Sequence, residues 1–489
     1  MNDSHDLRLI IESRIPVIII ETWEERRALS LLTKLGIQQG LPVFSWSVTD
    51  GLRRADFDQA PNQPLTAEPE AVLKHIRSTG SAGLYALCDF HPYLNDEPRN
   101  IRLIKEIAMQ AEDSGKSLVF ISHAFNIPSE FKRHSARFNL SMPEDHKLRA
   151  AIYKEAQNFS NTTGRKVKTD RDALDKLINN LRGLPLEDAR KLARGAIIQD
   201  GAITHSDLSS VNKAKFELLD MDGVLSFEYD TENFANVGGL SKLKDWLGKR
   251  EQAFQQGGAD SPKGIMMVGV QGGGKSLAAK AVAGLWGMPL LRMDMGALYN
   301  KFFGESERNV REALKLAETM APCVLWIDEI EKGIGSDDHD GGTSKRILAT
   351  LLTWMAERQH AVFIVATANN IQRLPPELIR KGRLDEVFFV DLPSEQVRQQ
   401  IFAIHLEKRN YPLANFRCAE LSAASAGFTG AEIEQAIVAA RYSAKARNEE
   451  LCTAHIIAEI DATVPLSVTM SEQLDALRAW CQTRAVAAD

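Results

Sequence analysis

The sequence predicts an α/β fold that occurs twice along the chain. Each copy is a three-layer domain built on a parallel sheet and followed by a small helical lid. Short apolar runs bounded by glycine, proline or acidic residues recur along the chain, as the buried strands of a parallel sheet do. One such run, residues 264–268, leads into a glycine-rich loop and then into a helical pattern. The same order of apolar run, loop and helical pattern recurs in the first half, at residues 17–42, which predicts an internal repeat.

The size and charge of the chain limit the classes of protein to consider. At about one domain per 150 residues, 489 residues predict several domains. The net charge of −6 argues against a dedicated nucleic-acid binder. Five scattered cysteines without a CxxC pair favour free thiols in a reducing compartment. With no signal-peptide pattern and no apolar stretch long enough to span a bilayer, we expect a cytoplasmic protein.

The glycine-rich loop fits the pattern GxxxxGK[ST] at every fixed position. Glycines let successive backbone N–H groups curl around phosphate oxygens at the positive end of a helix. Lys275 would reach the β- and γ-phosphates of ATP, and the Ser276 hydroxyl would bind Mg²⁺. The alternative, a glycine-rich structural turn, fits less well with a strand before the loop and a helix after it. The predicted ATP-binding segment of this P-loop comprises Gly269, Val270, Gln271, Gly272, Gly273, Gly274, Lys275, Ser276 and Leu277.

Two later strands predict the groups that would act on the phosphates. The run from Cys323 ends in Asp328 and Glu329, so a buried strand would deliver two carboxylates to the carboxyl edge of the sheet. Asp328 would hold Mg²⁺ through water, and Glu329 would orient and deprotonate the attacking water. A third run, residues 361–367, precedes Asn369, which a neighbouring strand would place beside the γ-phosphate. Acids and asparagine at strand ends are commonly turn formers, and the P-loop upstream favours the catalytic interpretation.

Together these motifs resemble the AAA family in the narrow sense. Within the AAA+ ATPases, this is the group of FtsH-like proteases and of katanin-like and proteasomal ATPases. The resemblance spans residues 234–447 and includes the stretches 304–311 and 374–385. It implies ATP hydrolysis with Mg²⁺ and a first-sensor role for Asn369. It also implies further nucleotide contacts at Val237 and Gly238 beside the adenine, at His405 near the adenosine, and at Gly430 and Ala431 where the second-sensor helix starts.

The resemblance also implies a ring. Arg380 and Arg383 match arginine fingers that act on the ATP of a neighbouring subunit, which implies a homo-oligomer, most simply a hexamer. Taken alone, two arginines on an exposed turn could equally be a solvated patch. Lys301, Phe302 and Phe303 match the central-pore loop that contacts a protein client, the alternative being a pair of core phenylalanines.

A more specific resemblance is to uncharacterised AAA-domain proteins encoded in red-algal chloroplasts and cyanobacteria. This resemblance rests on the amino-acid sequences of residues 366–369, 374–378 and 380–383 and on a divergent N-terminal half. That family has no defined client, so the resemblance implies no particular substrate.

The first half has the pattern of a degenerate AAA-like module. Residues 17–42 align without gaps on residues 264–289, and in this register Ala28 replaces Lys275 and the loop glycines are absent. The strand at residues 84–90 aligns with the acidic strand, with Phe90 opposite Glu329. We therefore expect a module that cannot bind Mg-ATP productively, although an unrelated α/β domain with similar punctuation remains the alternative.

These patterns predict six segments along the chain. They are a degenerate AAA-like α/β domain without a Walker A motif (1–145), a helical lid-like domain (146–215), a linker (216–233), an AAA+ ATPase large domain (234–395), a helical lid (396–465) and a C-terminal helix (466–489). An acidic stretch at residues 337–342 lacks the ligand spacing of a metal site, so we expect a loop facing the pore.

Two functions are consistent with these motifs. The first is a ring ATPase that couples turnover to remodelling or threading of a protein client. The second is a nucleotide-gated scaffold or regulator that recruits a partner through the degenerate module. A nucleic-acid motor is a weaker third option because of the net charge, and no HExxH protease motif occurs.

Overall fold

The computed structural model describes most of the chain, and its residues form two compact units, Met1–Pro143 and Glu144–Asp489. The described ranges are 3–55, 64–95, 97–219, 225–228, 237–258, 260–296, 306–333, 343–371, 374–380 and 382–489. Within these ranges, no helix combines the length and the apolarity needed to cross a bilayer. All five cysteines are free thiols, as the sequence predicts.

The first unit is a sheet covered by helices on both faces. Its strands are β1 Val17–Glu21, β2 Val43–Ser47, β3 Gly51–Arg54, β4 Gly83–Cys88, β5 Lys116–Ser122 and β6 Ser135–Phe138. Its helices are α1 Asp3–Glu12, α2 Glu25–Gln39, α3 Pro69–Ser78, α4 Pro98–Met109 and α5 Ala111–Ser114. The strand order is β3-β2-β4-β5-β1-β6, parallel except for the antiparallel edge strand β3. Helices α1 and α2 bury their apolar residues against one face, and α3 and α4 against the other.

The second unit begins with a small helical part that has its own apolar core. Its elements are α6 Asp145–Thr163, β7 Lys168–Thr169, α7 Arg171–Leu181, α8 Leu186–Asp200, β8 Ala202–Ile203 and α9 His205–Leu219. Helix α9 also contacts the larger remainder of the second unit, because Lys215 is buried and its Nζ donates to the carbonyl of Thr319 at 2.7 Å.

The remainder of the second unit is built on a seven-stranded sheet. Its strands are β9 Leu225–Glu228, β10 Gly264–Gly269, β11 Leu290–Asp294, β12 Cys323–Asp328, β13 Val362–Ala368, β14 Glu386–Val390 and β15 Val486–Ala487. Its covering helices include α10 Ser241–Gly248, α11 Glu251–Gln256, α12 Lys275–Trp286, α13 Ser306–Thr319 and α14 Thr343–Glu357. The order is β15-β14-β10-β13-β12-β11-β9, with β9 antiparallel at the edge. Strands β10, β12 and β13 are almost continuously buried and apolar, as expected when helices cover both faces of a parallel sheet.

The helices after β14 form the lid and a C-terminal segment. They are α15 Glu395–Glu407, α16 Cys418–Ala424, α17 Gly430–Ala446, α18 Thr453–Asp461, α19 Leu466–Thr469 and α20 Ser471–Cys481. Helices α15 to α18 share one apolar core. The C-terminal segment differs from the single helix predicted for residues 466–489. It has two helices, and its end adds β15 beside β14, with Phe388 opposite Val486.

The two sheets share one topology. The parallel core is β2-β4-β5-β1-β6 in the first unit and β11-β12-β13-β10-β14 in the second, with the strands in the same order along the chain. The predicted α/β fold, a parallel-sheet P-loop NTPase fold with a helical lid preceded by a related module, is therefore confirmed. The antiparallel edge strands β3 and β9 were not foreseen, because edge pairing depends on tertiary context more than on local sequence pattern.

The structure shifts the predicted alignment of the repeat by one residue. Strands β4 and β12 are each six residues long, and each is followed at once by a non-glycine residue with left-handed backbone. These residues are Asp89, with φ of 49°, and Glu329, with φ of 46°. Placing Phe90 opposite Glu329 was therefore wrong, since Asp89 occupies that position and Phe90 is fully buried in the core.

Candidate functional site

A cavity of about 660 Å³ opens at the carboxyl edge of the second sheet, where β10, β12 and β13 end. Its volume falls in the usual range for a small-molecule site. Most of the residues predicted from sequence line it: Val237, Gly238, Gln271, Gly272, Gly273, Gly274, Lys275, Ser276, Leu277, Asp328, Glu329, Asn369, His405, Gly430 and Ala431.

The loop between β10 and α12 has the backbone of an anion cradle. Gly272 and Gly274 have φ of 77° and 92°, a left-handed backbone conformation that residues other than glycine rarely adopt. Gly272 also lies against the lid, because a Cβ there would stand 3.1 Å from the Cβ of Ala431. The Ala431 N–H donates to the Gly272 carbonyl at 3.3 Å, so the first turn of α17 closes one side of the cradle.

The equivalent loop of the first unit is too short for such a cradle. Only residues 22–24 separate β1 from α2, whereas residues 270–274 separate β10 from α12. None of residues 22–24 has positive φ, and all three belong to the described part of the chain. Helix α2 therefore begins within the segment that aligns with the P-loop.

Lys275 is buried at the start of α12 and points back along its own loop. Its Nζ donates to the carbonyls of Gly269 at 2.9 Å and Val270 at 2.7 Å. Burial lowers the pKa of the Lys275 ammonium to about 8, and nearby carboxylates, Glu331 foremost, oppose part of that shift. A cation held among carbonyls and short of full solvation is ready to exchange those partners for phosphate oxygens.

Asp328 and Glu329 are positioned by the neighbouring strand. Thr367 Oγ1 donates to Asp328 Oδ1 at 2.8 Å and accepts the Glu329 backbone N–H at 3.0 Å. The other Asp328 oxygen accepts from the Arg292 guanidinium at 3.0 Å. Asn369 Nδ2 donates to Glu329 Oε1 at 2.8 Å, so the predicted first-sensor amide and the predicted base are in direct contact.

Glu331 completes this edge, and sequence reasoning missed it. It is buried, and its Oε1 accepts the backbone N–H groups of Asn369 at 2.8 Å and Asn370 at 3.3 Å. It therefore fixes the loop that carries the sensor amide. The available signal was an acid two residues beyond Glu329, which could have been interpreted as a group that holds the site residues in position.

The far end of the cavity is apolar and lies between the segment before α10 and the lid helix α15. A Cβ on Gly238 would lie 2.9 Å from Ile401 Cγ1, and the Gly239 N–H donates to Gln400 Oε1 at 3.1 Å. His405 lines the same end, with Nδ1 3.6 Å from Glu434 Oε1. Close backbone approach and apolar walls suit a flat aromatic base.

Four of the predicted site residues that the structure describes do not line this cavity. Gly269 lies beneath it, where a Cβ would stand 2.2 Å from the Val390 carbonyl oxygen, so the absence of a side chain there is required by packing against β14. Val270 lines a separate cavity of about 310 Å³. Arg380 and Arg383 lie on the turn before β14, and Arg383 Nη1 donates to the Glu377 carbonyl. The predicted pore residues Lys301, Phe302 and Phe303, and the acidic loop 337–342, lie outside the described residues.

The lining also contains residues that the sequence did not indicate. They are Thr367, Phe389, Val390, Asp391, Leu392, Pro393, Val397, Lys408, Glu434, Ala487, Ala488 and Asp489. The last three arrive with β15, and Asp489 Oδ1 accepts from the Ser241 N–H at 3.0 Å and its hydroxyl at 2.9 Å. No local motif marks them, since they reach the cavity only through strand pairing.

The residues present fit ATP with Mg²⁺. The cradle offers backbone donors and a buried cation to phosphate oxygens, and nothing lies within 4 Å of where a Cβ on Gly274 would stand. Ser276 carries a hydroxyl and Asp328 a carboxylate, which are the kinds of hard oxygen donor that Mg²⁺ takes in small number beside phosphates.

Comparison with known proteins agrees with this geometry. The model of the ATPase family associated with various cellular activities (AAA) matches residues 265–392. The first half matches two further models, the N-terminal domain of SpoVK-like AAA ATPases at residues 3–140 and their second domain at 146–222.

Similarity to one kind of protein extends over nearly the whole chain, whereas similarity to two others covers about half of it or less. An uncharacterised AAA domain-containing protein, ycf46, of Pyropia yezoensis is 36% identical over 98% of both chains. A proteasome-activating nucleotidase of Sulfurisphaera tokodaii is 35% identical over 43% of this chain and 57% of its own. A cell division cycle protein 48 homologue of Archaeoglobus fulgidus is 33% identical over 49% and 34%, respectively.

Proposed function

Because the chain belongs to the AAA family of ATPases and matches ycf46 proteins along its length, we propose that it hydrolyses ATP to ADP and phosphate in the cavity beneath the lid. The observation that carries this proposal is the convergence of a buried lysine, two carboxylates and a sensor amide at one sheet edge. The central contact is Asn369 Nδ2 to Glu329 Oε1, at 2.8 Å.

Each side chain has a distinct role in the proposal. Lys275 and the loop amides hold the phosphates, and Ser276 and Asp328 hold Mg²⁺, which neutralises phosphate charge when bound. Glu329 orients and deprotonates the attacking water, and Asn369 fixes the Glu329 carboxylate. The adenine lies between Val237–Gly238 and the start of the lid, near His405.

We further propose that the protein works as a ring, most simply a hexamer. Arg380 and Arg383 lie away from the cavity of their own chain, as fingers donated to a neighbour would. They would neutralise charge on the ATP of that neighbour. We propose as well that turnover is coupled to remodelling of a protein client. One relative is named a proteasome-activating nucleotidase and another a cell division cycle protein 48 homologue. Cytoplasmic localisation stays a prediction.

The test is ATP binding and phosphate release by the full chain with matched variants. Lys275→Ala should lose ATP binding, whereas Glu329→Gln should bind ATP and lose turnover, because the two side chains serve ground-state contact and water activation. Lys280→Ala, on the same helix but paired with Glu228, and Glu357→Gln, exposed on α14, serve as controls. Normal phosphate release by Glu329→Gln would refute the assignment.

A further inference from the structure

A second cluster of chemically active side chains lies in the first unit, at the carboxyl edge of its sheet. Asp89 directly follows β4, His91 begins the short helical turn after it, and His123 directly follows the neighbouring strand β5. In the second sheet, the strands at these positions are β12 and β13, which carry the carboxylates and the sensor amide. Carboxyl ends of adjacent parallel strands are where α/β sheets bind ligands.

The three side chains are already close together. One ligand atom from each lies within 4.8 Å of the others, and the His91 and His123 rings meet edge to face with centroids 4.8 Å apart. Donors around a single tetrahedral zinc at about 2.0–2.2 Å would be about 3.4 Å apart. Asp89 and His123 are exposed, so rotation of these two side chains can close the remaining distance of at most about 1.4 Å.

The backbone holds the cluster in place. Asp89 keeps its left-handed conformation, and its N–H donates to the Ile121 carbonyl at 2.9 Å, which ties the turn after β4 to β5. His91 Nδ1 is buried and has no hydrogen-bond partner among the described residues. Burying such a nitrogen without a partner is costly, and a cation bound there would supply the partner.

From this arrangement we propose that Asp89, His91 and His123 form a site for a divalent transition metal of the zinc class. Two imidazoles and one carboxylate are a donor set that zinc and its neighbours accept, and Ca²⁺ or Mg²⁺ would instead call for oxygen donors alone. Three protein ligands leave a coordination position open, and the exposure of Asp89 and His123 lets solvent reach it. The site is therefore an exchangeable one that carries water, rather than a closed structural site.

A built-in reporter lies beside the cluster. The Trp23 indole stacks on the His123 ring, with centroids 4.6 Å apart and planes 21° from parallel. A paramagnetic ion such as Co²⁺ bound at His123 should therefore quench Trp23 fluorescence. Substitution Trp23→Phe identifies that component among the seven tryptophans of the chain.

The experiment uses the full chain, stripped with chelator and free of nucleotide, and titrated with Zn²⁺ and Co²⁺. The parent carries Cys452→Ala, because the exposed Cys452 thiol lies 3.2 Å from His455 Nδ1 and could bind zinc itself. We expect one metal ion per chain and quenching of Trp23. His123→Ala and Asp89→Asn should each weaken binding by at least about tenfold, since even loss of an outer-shell partner costs that much.

Controls separate the site from background binding and from damage to the fold. His75→Ala removes an exposed histidine of the same unit and should bind like the parent. Trp23→Phe should keep the stoichiometry and lose the quenched component. If His123→Ala melts early, Asp89→Asn, a near-isosteric exposed change, decides the outcome. The proposal is overturned if the parent binds no metal at micromolar concentrations, or if Asp89→Asn leaves both affinity and quenching unchanged.

Discussion

Replacing Thr367 with valine tests whether the neighbouring strand positions the two carboxylates at the nucleotide cavity. Thr367 is 1% exposed, and its hydroxyl both donates to Asp328 and accepts the Glu329 N–H. Valine keeps the shape and removes both hydrogen bonds. The Glu329 N–H then has no acceptor just where that residue holds a left-handed backbone.

The expected loss follows from these two contacts. Leaving a buried N–H without an acceptor costs about 1–3 kcal/mol. The lost donor to Asp328 removes a charge-assisted bond, which is worth about 1.5–3 kcal/mol in typical cases and less here because Arg292 still contacts that carboxylate. We expect the free energy of unfolding to fall by about 2 kcal/mol and kcat to fall roughly 10- to 100-fold, because Glu329 is no longer held in place. ATP affinity should change little, since Lys275 and the cradle are untouched.

Steady-state phosphate release, ATP binding calorimetry and urea unfolding, followed by tryptophan fluorescence, provide the readouts. The matched control is Thr453→Val in the lid, which removes another buried threonine hydroxyl that accepts one backbone N–H, from Arg417 at 3.1 Å. It should lose stability without losing kcat beyond twofold. Equal kcat losses in the two variants, or normal turnover in Thr367→Val, would refute the positioning argument.

Three further predictions concern Lys275, Gly269 and Phe302. The pKa of Lys275 is about 8 in the folded protein, below its value in the unfolded chain. Burial of the charged ammonium therefore lowers the free energy of unfolding below pH 8, and this loss fades as the pH rises toward 10.5. Because phosphate restores the charged form, ATP binding near pH 8 should take up about half a proton, measurable by calorimetry in buffers of different ionisation enthalpy; no uptake would contradict it. Gly269→Ala should destabilise the protein by about 1–3 kcal/mol, because its Cβ would overlap the Val390 carbonyl, whereas Gly248→Ala, with open space around it, should not lower the melting temperature. Phe302→Ala should leave basal hydrolysis and assembly unchanged and abolish client unfolding, and persistence of that activity would favour the scaffold function.

Local pattern was enough to predict most of the side chains that gather at the candidate nucleotide cavity. The P-loop motif, the acidic strand end and Asn369 were identified from spacing alone, because each depends on a short segment whose backbone its own residues specify. The free cysteines were predicted from the absence of a CxxC pair, and the repeated three-layer fold from recurring short apolar runs. Continuous apolar runs indicate buried parallel strands wherever they occur.

Local pattern did not predict the strand register or the residues that hold the site side chains in position. Whether Asp89 or Phe90 corresponds to Glu329 depends on where β4 ends against β5, and the sequence alignment placed it one residue out. A single-residue shift moves every side chain to the other face of a sheet, so only strand pairing decides it. Thr367 and Glu331 likewise position the carboxylates and the sensor amide through contacts between strands, which no spacing along the chain encodes.

The sequence by itself therefore determined which residues are candidates to bind and act on ATP, because glycines, a lysine and acids at fixed local spacing are the residue types that this chemistry needs. Only the tertiary structure decided which distant segments complete the site. Strand β15 brings Asp489 to the cavity from more than 200 residues beyond the P-loop, through pairing with β14. Tertiary packing alone also gathered Asp89, His91 and His123 at one edge of the first sheet, because adjacency of parallel strands is set by the fold rather than by local sequence.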